Sequence, residues 1–177
     1  SMSRTAIHAR PVDERTMFTV KDSVANTGTA AATLHPYGFV MRFGTPLVEG
    51  TYILHEGLIG YLGEQGLQEY AYTKIDDAKS VAFNVTNGWL GITDKYWLSA
   101  LAFDQQQPTT ARFVFQRTAG ANQYQVDYVG PQQALDQVVG VGHRAALGAV
   151  AHEREAAPAD GAEELALARR LVGAVEP

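Results

Sequence analysis

Gly88-Trp89-Leu90-Gly91-Ile92-Thr93-Asp94-Lys95-Tyr96-Trp97, running on through Leu98, Leu101 and Phe103 to Asp104-Gln105, is the stretch from which the fold can be read. It holds both tryptophans of the chain, and aromatic side chains bury more area each than any other kind. Leu90 and Ile92 alternate with Trp89, and after Thr93-Asp94-Lys95 the alternation resumes with Tyr96 and Leu98 against Trp97 and Leu101. A period of two is the signature of a strand. At roughly 3.3 Å per residue the whole stretch would span about 50 Å as one strand, far beyond the usual length. We therefore expect a central strand region that bends sharply, or folds into a hairpin, at Thr93-Asp94-Lys95, with the aromatic residues packed in the core.

Outward from it the same period recurs. Residues 16–26 alternate, with Phe18, Val20 and Val24 on one face, and Asn26-Thr27-Gly28 has turn chemistry. Residues 30–34 read as a strand that Pro36 interrupts before residues 37–43 continue. Gly44-Thr45-Pro46 turns the chain, and residues 51–56 read as a short strand. Glycines at 57, 60, 63 and 66 suggest a loop carrying Leu58, Ile59, Tyr61 and Leu62 that either packs on the sandwich or meets a partner. Residues 67–75 resume a strand, Asp76-Asp77 turns, and Val81, Phe83 and Val85 line another. The clearest hairpin joins residues 111–117 to 122–129, with Phe113 and Phe115 on one arm and Tyr124, Val126 and Tyr128 on the other. Many short alternating strands argue for an all-β antiparallel sandwich.

Composition narrows the function. With 177 residues the chain suits one domain with a real core. Its 14 Lys+Arg against 19 Asp+Glu give a net charge of −5, which offers no footprint for nucleic acid. There is no cysteine, so disulfides and thiolate zinc sites are excluded. No window approaches the roughly 20 apolar residues of a membrane-spanning helix. No Ser-His-Asp order, phosphate loop or HExxH motif is present, and His143 and His152 lack a third ligand at sensible spacing. No cofactor and no metal is expected.

The block Gly88 to Trp97, followed by Ala100-Leu101 and Asp104-Gln105, resembles the periplasmic domain of the YidC membrane protein insertases, in its alphaproteobacterial form. A second block is similar to the same family: Tyr37-Gly38, Arg42, Gly44-Thr45-Pro46, Gly50, Tyr52-Ile53-Leu54-His55-Glu56-Gly57 and Gly60. With Phe18-Thr19-Val20, Asp22 and Asp127-Tyr128, the resemblance runs over about residues 5–130. It implies a β-supersandwich similar to galactose mutarotases. It also implies a location on the periplasmic face of a bacterial inner-membrane protein, where a domain that is not an enzyme assists the insertion and folding of membrane proteins. Sec translocon subunits and nascent membrane proteins are the implied partners. Ser1-Met2 then reads as a remnant ahead of an internal piece of a longer, membrane-anchored chain. The family carries further strands before the position matching Arg4, so open edges and self-association are expected here. The alternative from another class is a carbohydrate-binding or mutarotase-like sandwich.

Residues 1–130 are expected to form the β-sandwich domain, part of a larger one. The tail, residues 131–177, differs. Aromatics vanish, residues 138–150 are rich in glycine and alanine without strand alternation, and the family's closing strand has no match there. Either the branch diverges or this stretch is not native sequence. Asp160-Gly161-Ala162-Glu163 resembles a capping box ahead of Leu165, Ala168, Leu171, Val172 and Val175, which predicts a C-terminal helix over about 161–173.

Among possible sites, His55-Glu56 is the only adjacent acid–base pair, but neighbours on a strand face opposite ways, and a structural role is favoured. Glu56 with His35 or Asp94 is the remaining combination. Asp94-Lys95 reads as a solvated bend and Arg42 as turn architecture. No catalytic residue is assigned. Trp89, Tyr96, Trp97, Leu58, Ile59 and Tyr61 are the candidate contacts for a partner or an extended peptide.

Overall fold

The computed structural model describes residues 2–11, 17–26, 30–46, 55–95, 97–135 and 141–151. Its organising element is a hairpin, the second of the two forms expected of this stretch. β8 (Trp89–Asp94) and β9 (Trp97–Ala102) pair antiparallel from Trp89 opposite Ala102 to Asp94 opposite Trp97. Thr93 and Asp94 are still paired in β8, opposite Leu98 and Trp97, so the chain reverses after Asp94 rather than across Thr93-Asp94-Lys95.

The remaining strands are β1 (Met2–Pro11), β2 (Met17–Asn26), β3 (Ala32–Leu34), β4 (Tyr37–Phe43), β5 (Gly57–Tyr61), β6 (Leu67–Ala71), β7 (Ser80–Val85), β10 (Thr109–Thr118), β11 (Ala121–Val129), β12 (Gln133–Leu135) and β13 (Val141–Ala151). One helix, α1 (Tyr72–Ala78), joins β6 to β7. A seven-stranded sheet runs β1-β2-β13-β9-β8-β5-β6, a four-stranded sheet β4-β11-β10-β7, and β12 pairs with β3. All described pairings are antiparallel. The two larger sheets enclose one core, so the chain is an all-β sandwich with the tryptophan hairpin central in its larger sheet.

That core is aromatic, though not through the tryptophans. Phe113, Tyr124 and Tyr128 are essentially inaccessible, Phe103 is buried beside Tyr128, and Tyr72 meets Tyr124 edge-on at 4.4 Å. Trp89 is half-buried and Trp97 is 54% exposed, so the expectation that both pack inside is corrected. The parity of β8 turns Trp89 outward, and Trp97 lies at the start of β9, beside the reversal of the hairpin. The strongest local expectation is met by the β10–β11 hairpin, whose two-residue turn Ala119-Gly120 has positive φ at both positions, 50° and 85°. That geometry matches the right-handed twist of the flanking strands.

Three other expectations fail for identifiable reasons. The glycine-rich run 57–66 is not a loop: Gly57–Tyr61 is a strand between β8 and β6. A Cβ on Gly60 would stand 2.8 Å from the Trp89 carbonyl oxygen, so that glycine permits close strand approach rather than breaking the chain. Residues 72–75 are helical, not extended, because Tyr72 and Ile75, three apart, both turn into the core. The glycine- and alanine-rich stretch read as lacking strand structure is β13, which fills the seven-stranded sheet between β2 and β9. Small residues hide the period of two, since they give it no hydrophobic contrast. The strand expected over 51–54 and the helix over 161–173 lie outside the described residues.

Candidate functional site

Inward-facing positions alternate along β4 and β8, and each of these strands carries one charged residue on that face. On β8 the series Leu90, Ile92, Asp94 faces the core, and on β4 the series Gly38, Val40, Arg42 does the same from the opposite sheet. Arg42 Nε donates to Asp94 Oδ2 at 2.6 Å, with the two side chains only 13% and 15% exposed. Tyr72, from α1, donates its hydroxyl to the other oxygen, Asp94 Oδ1. Asp94 is therefore no solvated bend and Arg42 no turn residue; both readings are corrected. Burial, and then the Asp94 charge beside it, push the Tyr72 hydroxyl far above its ordinary pKa of 10.0, so it stays a neutral donor.

The carboxylates and histidines named from sequence are only partly brought together. Glu56 lies close enough to Tyr72 for its charge to be felt there, alongside Asp94. His55, next to it and outside any strand, donates from Nε2 to the Leu58 carbonyl at 3.2 Å. His35 is at the other end of β4, about 20 Å along the strand from Arg42, donating from Nδ1 to the Gly130 carbonyl at 3.0 Å. A further polar cluster, unforeseen in the sequence, lies on the outer face of the four-stranded sheet. There the fully buried Asp127 accepts from Arg112 Nε at 2.6 Å, Arg112 Nη2 at 3.1 Å and Gln125 Nε2. Among the described residues, no group of three or more His, Asp or Glu side chains converges to hold a metal. No described helix is long and apolar enough to cross a membrane.

The candidate partner contacts are apolar. On the outer face of the large sheet, Tyr61 sits opposite Leu67 on one side and Trp89 on the other, with Ile59 opposite Gly91 in the next row. Leu98, Ala100 and Ala102 of β9 continue the same face. Tyr61 is 50% and Leu67 55% exposed, and the only charged residue among the outward positions of β5, β6, β8 and β9 is Glu69. An exposed sheet face ordinarily alternates to polar residues, and contiguous apolar patches mark contact sites. Of the candidate contacts, Ile59, Tyr61 and Trp89 thus share one surface. Leu58 does not: it is fully buried between the sheets and presents nothing to a partner. Trp97 is exposed at the hairpin end, away from that face, and Tyr96 lies outside the described residues. Leu67 was missed, although its register opposite Tyr61 follows once 57–61 is a strand.

A family model described as the YidC periplasmic domain matches residues 11–141. The chain belongs to this family. It is 56% identical over 124 residues to the membrane protein insertase YidC of Nitrobacter hamburgensis, covering 70% of this chain and 20% of that protein. It is 57% identical over 118 residues to that of Bradyrhizobium diazoefficiens, covering 67% and 19%. The Methylobacterium nodulans insertase is 45% identical over 139 residues, covering 73% and 23%. The chain spans about a fifth of the length of these curated relatives. The YidC periplasmic domain also gives the localisation: a periplasmic domain of a bacterial inner-membrane protein.

Proposed function

We propose that this chain is a non-catalytic accessory domain of a membrane protein insertase, holding Sec translocon subunits against the insertase through the outer face of its large sheet. The observation that carries the proposal is that face, with Ile59, Tyr61, Leu67 and Trp89 outward and one charge among them. The names of the relatives supply the insertase, since they are membrane protein insertases. The polar groups speak for scaffolding rather than chemistry. Asp94 has both oxygens engaged and its charge matched, and a general base needs a free, tunable lone pair aimed at a substrate.

The test is photo-cross-linking in membranes carrying the parent insertase, with Tyr61 or Leu67 replaced by a photoreactive phenylalanine analogue and Gln116, exposed on the other sheet, as control. Translocon subunits captured from Tyr61 and Leu67 but not from Gln116 are the expected result. Equal capture from all three, or none, overturns the assignment of the face. His55→Ala and Glu56→Ala are expected to leave insertion of a test membrane protein intact; a loss of insertion with normal folding would instead argue for chemistry at this end of the sandwich.

A further inference from the structure

One end of the sandwich carries aromatic side chains that the core does not use. Trp97, the first residue of β9, pairs with Asp94 across the reversal of the tryptophan hairpin and is 54% exposed. Phe43, the last residue of β4, is 40% exposed. The 2.6 Å contact of Arg42 with Asp94 holds these strand ends together, so Phe43 and Trp97 share one pole although they belong to different sheets. Lys95, exposed, follows Asp94 at the reversal. The last described strand finishes here as well: β13 ends at Ala151, opposite Trp97, so the chain leaves the sandwich beside the exposed indole.

Location says what surface this pole meets. A periplasmic domain of an inner-membrane protein is held within reach of a bilayer. Tryptophan joins a large apolar ring to an N–H donor, and it concentrates at the level of the lipid headgroups for that reason. A neighbouring lysine lays its apolar stem along the same layer and keeps its ammonium among the phosphates. Attachment to the membrane also raises the effective concentration of the surface, so a small contact suffices.

We infer that this pole rests in the headgroup layer of the bilayer, with Trp97 and Phe43 as its inserted tips. The attraction is apolar rather than ionic. The chain carries a net charge of −5, Arg42 and Asp94 cancel each other, and the charges of Glu56 and Asp76 lie toward the same end, where they act on Tyr72 and Tyr124. With the pole down, β8 and β9 rise from the membrane and the outer face of the large sheet stands upright, turned sideways toward whatever protein lies beside it in the membrane. The inference needs only the location, not the translocon as partner.

The experiment uses the full chain with a C-terminal hexahistidine tag. A nickel-chelating lipid holds it on vesicles of phosphatidylethanolamine with a minority of phosphatidylglycerol. Tryptophan emission is compared between plain vesicles and vesicles whose acyl chains are brominated close to the headgroup. Because the chain has two tryptophans, Trp89→Phe reports Trp97 alone and Trp97→Phe reports Trp89 alone. The expected result is bromine quenching at least twofold stronger in Trp89→Phe than in Trp97→Phe, reduced when Phe43→Ser is added and unchanged at high salt. If Trp89→Phe fails to fold, the unsubstituted chain is compared with Trp97→Phe, and quenching must fall when Trp97 is removed. Absence of bromine quenching at Trp97, or equal quenching of both tryptophans, overturns the inference. So does light scattering that shows a dimer dissociating on Trp97→Ser, because the pole would then serve a second copy. Failure here with cross-links intact at Tyr61 removes only the membrane contact; loss of the Tyr61 cross-links with quenching intact removes only the scaffold face.

Discussion

Arg42 and Asp94, 52 positions apart in sequence, close a 2.6 Å ion pair that ties β4 of one sheet to β8 of the other. Both are mostly withdrawn from solvent, and Tyr72 completes the pair by donating to the second carboxylate oxygen. Removing one partner of such a pair strands the other in a poorly solvated place, which costs far more than the pair itself is worth.

Asp94→Ala is accordingly expected to lower unfolding free energy by about 3 kcal/mol, read from urea unfolding. Replacing the pair together, Arg42→Met with Asp94→Leu, should recover more than half of that loss, since apolar substitutes of similar volume avoid the stranded charge. A double variant as unstable as the single one would show that the pair's hydrogen bonds, not the uncompensated charge, set the cost.

Tyrosines give the sandwich a one-sided dependence on pH. Burial raises the pKa of Tyr72, Tyr128, Tyr124 and Tyr37 above the ordinary 10.0, most for Tyr72 and Tyr128. The folded state then keeps protons that the unfolded chain releases. Their contribution is fully present below pH 10 and is lost as pH rises above it toward the folded values. Stability in urea should fall above pH 10 by up to about 1.4 kcal/mol per pH unit for each tyrosine involved. Tyr128→Phe should make that decline shallower; an unchanged slope would show that Tyr128 is not among the groups responsible.

How much of this was legible follows from what the period of two can carry. Phe113 and Phe115 on one arm and Tyr124, Val126 and Tyr128 on the other keep a period of two, and their hairpin emerged with both arms in place. The inward parity of Leu90, Ile92 and Asp94, and of Val40 and Arg42, was equally visible. It places both charges inside, and would have revealed the pair had parity been allowed to outrank the habit of putting charges in turns. Nothing local reports that β4 and β8 face each other, so the partner itself was out of reach. Gly57 and Gly60 misled because a glycine needed for close strand approach and one needed for a turn are the same letter.

Gly57 makes that distinction measurable. Its φ is +136°, and a Cβ there would run into the backbone of Tyr70 and Ala71 on β6. Gly57→Ala is therefore expected to cost more than about 2 kcal/mol, combining a backbone conformation closed to other residues with a collision. In a surface loop the same change would cost almost nothing. A thermal midpoint within 1 °C of the unsubstituted protein, about the shift expected from a few tenths of a kcal/mol at this size, would return residues 57–61 to a loop.

Ala119 offers a gain in stability. It holds φ of +50° in the Ala119-Gly120 turn, a conformation that costs an ordinary L-residue roughly 1 kcal/mol and that asparagine tolerates. Asn-Gly is the preferred pair for a two-residue turn of this kind. Ala119 is exposed, so the substitution disturbs no packing. Ala119→Asn should raise the thermal midpoint by about 2–4 °C. Because the turn sets the register of β10 on β11, and β10 carries β7 on its other side, the variant also asks whether β7 is held by this hairpin. Slower hydrogen exchange along β7 as well as β10 would show that one cooperative unit links the turn to β7. Slowing confined to residues 109–129 would show that β7 opens independently.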